Sequence, residues 1–473
     1  MKRFATLTIV LMLFTLSMAM GQWQYIGVFP PAGLAPGDTV QTGNIHGIAV
    51  DPDGKVWIQN YYAYPRDTIL VPNVMTNLTK VATPDSIVPQ QIAVRMLYCY
   101  NADGSPASFS PIKFVTVNGV QDTLGGASLI NNTHLVWDKS NSPNTGRGLR
   151  ADQDGNIIAT YFCYLYRINY LDGTGMAKVN ATNGASGVAV GIDGAGNIYD
   201  NAVASTGAPL KVYDKDFNYL FNAVDTLTSF SRSLEASYDG LDIYWAGYTN
   251  HAVYDYKSTD GGVTYGVCDT IAKGFDCESF GWNRKDGYLW MSAGSFNDLP
   301  NRWPGLVTEY RPSTWYAYDP ASGTMKDSLI WVFAKPENAN ERPRGIAFSP
   351  SGDTAYVCVF GDAGVPGVRM YKRTVTGLKQ TFDFVPENYT LSQNYPNPFN
   401  PTTEIQFTIA RGGKTTLRVY DLLGREVATL VNENLAPGTY KYGFTGMHLS
   451  SGTYIYQLTS GQARITKKMA LVK

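Results

Sequence analysis

The chain has 473 residues, 44% of them hydrophobic, and a formal net charge of −1. That length supports two or three domains, and the balanced charge excludes a general attraction to nucleic acid or to an anionic membrane. The 47 Gly, 32 Tyr and 9 Trp, against only 4 His, point to an all-β chain with many turns.

Residues 1–21 read as a secretory signal peptide. Lys2 and Arg3 form the charged start, an apolar run follows from Leu7 to Met18, and Ala19-Met20-Gly21 offers a cleavage site, so the mature chain starts at Gln22. The apolar run is short for a membrane anchor and no second span follows, so no transmembrane segment is expected after signal removal. Five cysteines are scattered rather than arranged as a framework. Cys268 and Cys277 are close enough in sequence to bridge neighbouring segments; Cys99, Cys163 and Cys358 sit among strand formers and read as buried thiols.

From residue 22 to 373 one hairpin recurs: "GIAVDPDGKVWIQ" (Gly47), "GLRADQDGNIIAT" (Gly148), "GVAVGIDGAGNIYD" (Gly187), "SLEASYDGLDIYW" (Ser233), "SFGWNRKDGYLWM" (Ser279) and "GIAFSPSGDTAYVC" (Gly345). Gly accepts the positive φ of a tight turn, Asp caps it, and β-branched and aromatic residues flank it as strands. Further strands such as "LKVYDKDFNYL" and "TWYAYDPASGT" make units of four. With turn glycines read at 54, 155, 194, 240, 287 and 352, the later units repeat every 39 to 65 residues. Four-stranded units at that period predict a β-propeller. Six blades are clear; the long gap after Gly54 holds one expanded blade or additional ones, allowing seven or eight. "WQYIGVF" (Trp23 to Phe29) stands alone and is expected to complete the last blade, which removes an open edge. The pattern resembles the six-bladed propellers grouped as NHL-repeat, SMP-30/gluconolactonase-like and streptogramin-lyase-like proteins, folds that host binding, catalysis or scaffolding.

In such a ring the first strand of each blade lines the channel. The residue before each small residue then gives a ring of His46, Arg147, Ser186, Arg232, Glu278 and Arg344, a candidate site for a carboxylate or phosphate. The same groups can instead bond adjacent backbone and lock blades together. Glu278 can pair with a neighbouring Arg or act as a base. A second channel carboxylate requires Glu235 to face inward, and one carboxylate falls short of a metal site, so no metal or cofactor is expected. "DPDG" and "DQDG" read as turns rather than calcium loops. No nucleophile elbow, phosphate loop, dinucleotide fingerprint or zinc-protease motif occurs, and no catalytic residue is nominated. The reading is a binding or interaction module for a glycan, a peptide or an anionic small molecule, with an extracellular lactonase-like or lyase-like hydrolase as the alternative.

Residues 374–388 read as a polar linker. Then comes "NYPNPFNPTTEI", in which Asn394, Pro396, Asn397, Pro398, Phe399, Asn400 and Pro401 form a stiff segment short of backbone donors. Alternating strands such as "TTLRVYDL" and "TYIYQLTS" then predict an Ig-like β-sandwich over 389–473. With "VYDLLGREVATLV", "LAPGTYKYGF", "LSSGTYIYQL" and "KKMALVK", this region resembles the type A C-terminal sorting domain of the type IX secretion system. The resemblance implies a Bacteroidota-type source, the type IX machinery as partner, and a product that is secreted or fixed to the outer cell surface. In that setting, Asp followed by Ser/Thr and an apolar residue (at Asp38, Asp67, Asp85, Asp122, Asp225, Asp269, Asp327 and Asp353) resembles an O-glycosylation acceptor. It is equally a common way into a strand.

Overall fold

The computed structural model describes residues 22–31, 45–61, 68–75, 87–93, 95–124, 127–130, 134–136, 146–274, 276–295, 310, 313–331, 341–361, 367–374, 377–382, 388–435, 437–447 and 449–472. Two compact units divide at Arg373, one running from Trp23 to Arg373 and the other from Thr374 to Lys473.

The first unit is a six-bladed β-propeller. The inner strands are Ile45–Val50, Gly146–Ala151, Gly191–Ile192, Leu234–Ala236, Phe280–Asn283 and Arg342–Phe348. Each opens an antiparallel sheet, and in the first five the strands follow chain order outward. The turn chemistry explains the hairpins. In blade 1, Oδ1 of Asp51 accepts from the backbone of Asp53 and Lys55, at 3.0 and 2.9 Å. Asp152 and Asp193 do the same in blades 2 and 3. In blades 4 and 6 the hydroxyls of Ser237 and Ser349 take over. These side chains are therefore committed to their turns.

Near the axis neighbouring backbones converge, which accounts for the small residue in each inner strand. A Cβ on Gly148 would lie 2.5 Å from that of Ala189 in blade 3, and one on Gly345 would lie 2.8 Å from Cγ2 of Ile48 in blade 1. The second contact joins the sixth blade to the first. The segment Gln22–Val28 pairs with Val368–Thr374 as the outer strand of blade 6, so the chain start completes the last blade. Phe29 extends the pairing through its N–H to the Val368 carbonyl at 3.0 Å. Trp23 fixes the strand's position, donating from Nε1 to Asp327 (3.1 Å) and standing edge-on to Trp290 at 5.5 Å. Trp57, Trp245, Trp290 and Trp315 are fully buried, and each contributes a few kcal/mol of apolar burial, on the order of the largest side chains.

The long gap after Gly54 is one expanded blade, not an extra one. Blade 1 consists of Ile45–Val50, Val56–Asn60 and Leu97–Tyr100. A separate six-stranded sheet is inserted around its third strand, drawing on residues 68–75, 87–93, 114–117, 120–123, 127–130 and 134–136.

One register needs correction. In blade 3 the turn glycine is Gly196, at φ +85°, rather than Gly194. Gly196 donates to the carbonyl of Asp193, as Gly54 does to Asp51. The run "DGAGN" is thus equivalent to "DQDGN", and every residue before it moves by two. Ala189 is the small residue of this blade, bridged in parallel to Ser233. The residue before it is Val188, which is buried in the apolar core.

Cys99, Cys163, Cys277 and Cys358 are buried free thiols. Burial pushes the Cys277 thiol up to about 12, and its sulfur lies 3.5 Å from the Ser279 carbonyl instead of in a bridge. The side chain of Cys268 lies outside the described residues.

The second unit is a sandwich of two four-stranded antiparallel sheets. Its core includes Phe399, Ile405, Phe407, Leu417, Val419, Tyr456 and Leu458. The stretch read as a linker is not only a linker: Gly377–Phe382 pairs with Gly438–Thr445 as an edge strand of this sandwich. Its polar composition hid it, because an edge strand paired on one side needs no alternating apolar face.

Candidate functional site

Each inner strand of the propeller begins at one mouth of the channel and ends at a hairpin turn at the other. At the first mouth, in blades 1, 2 and 6, the strand pairing slips by one residue. The slips fall between Ile45 and Gly47, between Gly146 and Gly148, and between Pro343 and Gly345. The extra residues are His46, Arg147 and Arg344. A β-bulge re-aims the side chain it carries, and three bulges in register turn three basic groups toward one place.

Their mutual field is visible in His46. It is only 6% exposed. Burial first, and then the charges of Arg344, Arg147 and Arg232, hold its imidazole well below the ordinary value, so it is neutral at neutral pH. Its Nδ1 has no hydrogen-bond partner. Arg344 is also buried. Burial, then Arg232 and Arg147, hold its guanidinium well below the ordinary value, with Tyr248 and Cys358 acting against them, and it forms an ion pair with the buried Glu278. Glu278 is therefore paired rather than poised as a base. Its backbone N–H is anchored by the Ser292 hydroxyl at 3.1 Å. Arg147 and Arg232 are half-buried. Ser186, nominated from the misread register, lies two residues outside the ring, its hydroxyl buried and without a hydrogen-bond partner.

An aromatic collar surrounds these groups, which sequence reasoning missed. Arg147 lies over Tyr61 with 5.1 Å to the ring centroid, Arg232 over Tyr248 at 5.4 Å and Phe230 at 5.0 Å, and Arg344 over Phe360 at 5.5 Å. His46 packs against Tyr61 at 4.9 Å and Phe360 at 6.2 Å. Tyr61 and Tyr248 stand just past the second strand of their blades and Phe360 ends its own, so aligning the ends of the second strands would have exposed the collar. Each cation–π contact is worth about 0.5–2 kcal/mol and positions a guanidinium without neutralising it. Asn60, fully buried beside Tyr61, has neither side-chain polar atom hydrogen-bonded. A His–Asp pair stands close in sequence to the ring: His251 Nδ1 contacts the carboxylate of Asp276, which is fully buried.

Three residues further along the inner strands, Glu235 does face inward. It is buried and forms an ion pair with Arg150 of blade 2, across Gly191 of blade 3. Glu235 and Glu278 thus have separate cationic partners. Among the described residues, no three His, Cys, Asp or Glu side chains cluster closely enough to hold a metal ion.

In the sandwich, the proline segment is pinned at two points. Asn394 is buried and donates from Nδ2 to the Pro396 carbonyl (3.0 Å) and to Thr403 (2.9 Å). Phe399 is buried and exchanges backbone bonds with Ala470 and Val472, both at 2.9 Å. Asn397 accepts from the Ala470 N–H at 2.8 Å, and the Pro401 carbonyl from Gly446 at 2.8 Å. Pro396, Pro398 and Asn400 are exposed.

Residues 393–472 match the family described as the secretion system C-terminal sorting domain. No curated protein matches the sequence. Solved structures similar to this chain include a luciferin-regenerating enzyme (10% identity, 74% of this chain and 95% of that one, TM-score 0.42). The periplasmic gluconolactonase of Pseudomonas aeruginosa is another (11% identity, 84% and 88% covered, TM-score 0.37). The Cps50 β-propeller domain of Myceliophteria thermophila is a third (9% identity, 70% and 99% covered, TM-score 0.37). The protein carries a type IX sorting tail and is a secreted cargo of that system, delivered to the cell surface. Among the described residues no helix is long and apolar enough to cross a membrane.

Proposed function

We propose that the propeller is a binding module that takes an anionic group at the bulged mouth of its channel. The ligand is a carboxylate- or phosphate-bearing small molecule, or a glycan or peptide that presents such a group. The observation that carries this reading is the convergence of Arg147, Arg232 and Arg344 on a neutral, buried His46 whose Nδ1 lacks a hydrogen-bond partner. Cation–π contacts position the guanidiniums without neutralising them, and a guanidinium suits bidentate contact with an anion.

Isothermal titration of the mature protein with citrate tests it. Saturable binding is expected, weakened about 10-fold or more in the Arg147→Gln/Arg232→Gln double variant, as loss of charged hydrogen bonds requires. Both residues are half-buried, so the fold should survive. Equal affinity in the variant contradicts the reading. The His251–Asp276 pair favours a second reading, a lactonase-like or lyase-like hydrolase with His251 as general base. It predicts turnover of a lactone panel that His251→Gln abolishes without changing citrate affinity.

A further inference from the structure

The channel has a second compartment. At the mouth where the hairpin turns lie, it opens into a cavity of about 310 Å³. Its floor is the Arg150–Glu235 ion pair. Arg150 also donates to the Ser233 hydroxyl at 3.2 Å and to the Leu149 carbonyl at 3.0 Å, which fixes the guanidinium. Burial raises the Glu235 carboxyl above its ordinary value, and Arg150 and then Arg284 act against that. Leu149, Ile346, Phe348 and the indole of Trp282 wall the space. Trp282 is held by its Nε1 bond to the Ala236 carbonyl at 3.0 Å. At the rim stand Arg284 and Lys285, both exposed, and Arg284 is steadied by a 2.9 Å bond to the Ala151 carbonyl.

These parts select a ligand by chemistry. The volume suits a molecule of one ring. The floor is electrically self-neutralised, so it does not favour a second charge. It does present an acceptor beside donors, and a hydroxyl can satisfy both at once. Apolar and aromatic walls suit the face of a ring. Asp51 and Asp152 also line the cavity, but Lys55 and Arg167 pair with them, so the exposed rim charge is that of Arg284 and Lys285, which suits a carboxylate. We infer that this cavity is a second ligand site, separate from the bulged mouth, for a small ring molecule bearing a hydroxyl at one end and a carboxylate at the other.

Two hydroxy acids share that chemistry, 4-hydroxybenzoate and D-glucuronate, and calorimetric titration of the mature protein with each tells an aromatic ligand from a sugar acid. One of them should saturate the site. For the one that binds, the analogue lacking the hydroxyl or the carboxylate (benzoate or phenol for the first, D-glucose for the second) should bind about 10-fold more weakly. Arg284→Ala, an exposed change that spares the fold, should weaken it about 5-fold or more, in the range of a partly solvated charged hydrogen bond. The Arg150→Met/Glu235→Leu double variant, which replaces the pair by apolar groups, should remove the preference for the hydroxyl. Arg147→Gln/Arg232→Gln should leave binding intact. Failure of both acids to saturate overturns the inference, as does affinity indifferent to Arg284→Ala or lost in the Arg147/Arg232 variant.

Discussion

Asp200 shows how a single residue can govern the propeller's response to pH. It is fully buried in blade 3, and one of its carboxyl oxygens has no hydrogen-bond partner. Burial raises its pKa from 3.8 to about 7, against the pull of Lys211. Between about pH 4 and 7 the folded protein therefore holds a proton that the unfolded chain has lost. Asp200's contribution to stability falls as pH rises through that window, by about 1.4 kcal/mol per unit, and levels off above it. Asp200→Asn should accordingly gain stability over the wild type as pH rises from 4.5 to 7.5, read by urea unfolding; a difference constant with pH contradicts this. Glu278 gives the opposite kind of prediction. Removing its charge by Glu278→Gln leaves Arg344 buried and uncompensated, a loss of about 3–5 kcal/mol. Unfolding midpoints within error of the wild type would refute the pairing. At this scale the basic ring was legible, because each residue precedes a small one in a repeat. Ser186 went astray because "DGAGN" offers two glycines and only the backbone shows that Gly196 takes the positive φ.

Among the elements, the closing strand was legible as a strand without a local partner. The bulges were not, because they depend on how Gly47, Gly148 and Gly345 meet neighbouring blades rather than on their own hairpins. The inserted sheet was hidden for the same reason: one of its pairings, Leu135 with Val74, joins residues far apart in sequence. The strand Gln22–Val28 seals blade 6 through Trp23. Trp23→Ala should cost about 3 kcal/mol in equilibrium unfolding, near the lower end for aromatic truncation because the ring is only partly buried. A change below about 1 kcal/mol, the scale of surface substitutions, would mean that the closing strand is not anchored there. The O-glycosylation reading divides at this scale too. Thr123 is buried at the end of the strand Val120–Thr123, with its Asp122 paired to Lys178, and offers no exposed hydroxyl, whereas Thr226 after Asp225 is exposed.

For the whole molecule, the tail was more legible than the cargo. A sorting domain is read by an export machine through local features, and Asn394 and Phe399 hold the proline segment against the sandwich. A chain ending at Phe384 should accumulate in the periplasm instead of reaching the surface, measured by fractionation. The ligand was less legible, since a propeller's chemistry is assembled from six distant stretches and its partners arrive from the ends of second strands. The most direct measurement of the central claim is the NMR titration of His46, one of only 4 histidines, with and without citrate. An anion bound among Arg147, Arg232 and Arg344 offsets the field that keeps His46 neutral, so citrate should raise its pKa. A His46 titration curve unmoved by citrate would contradict the account.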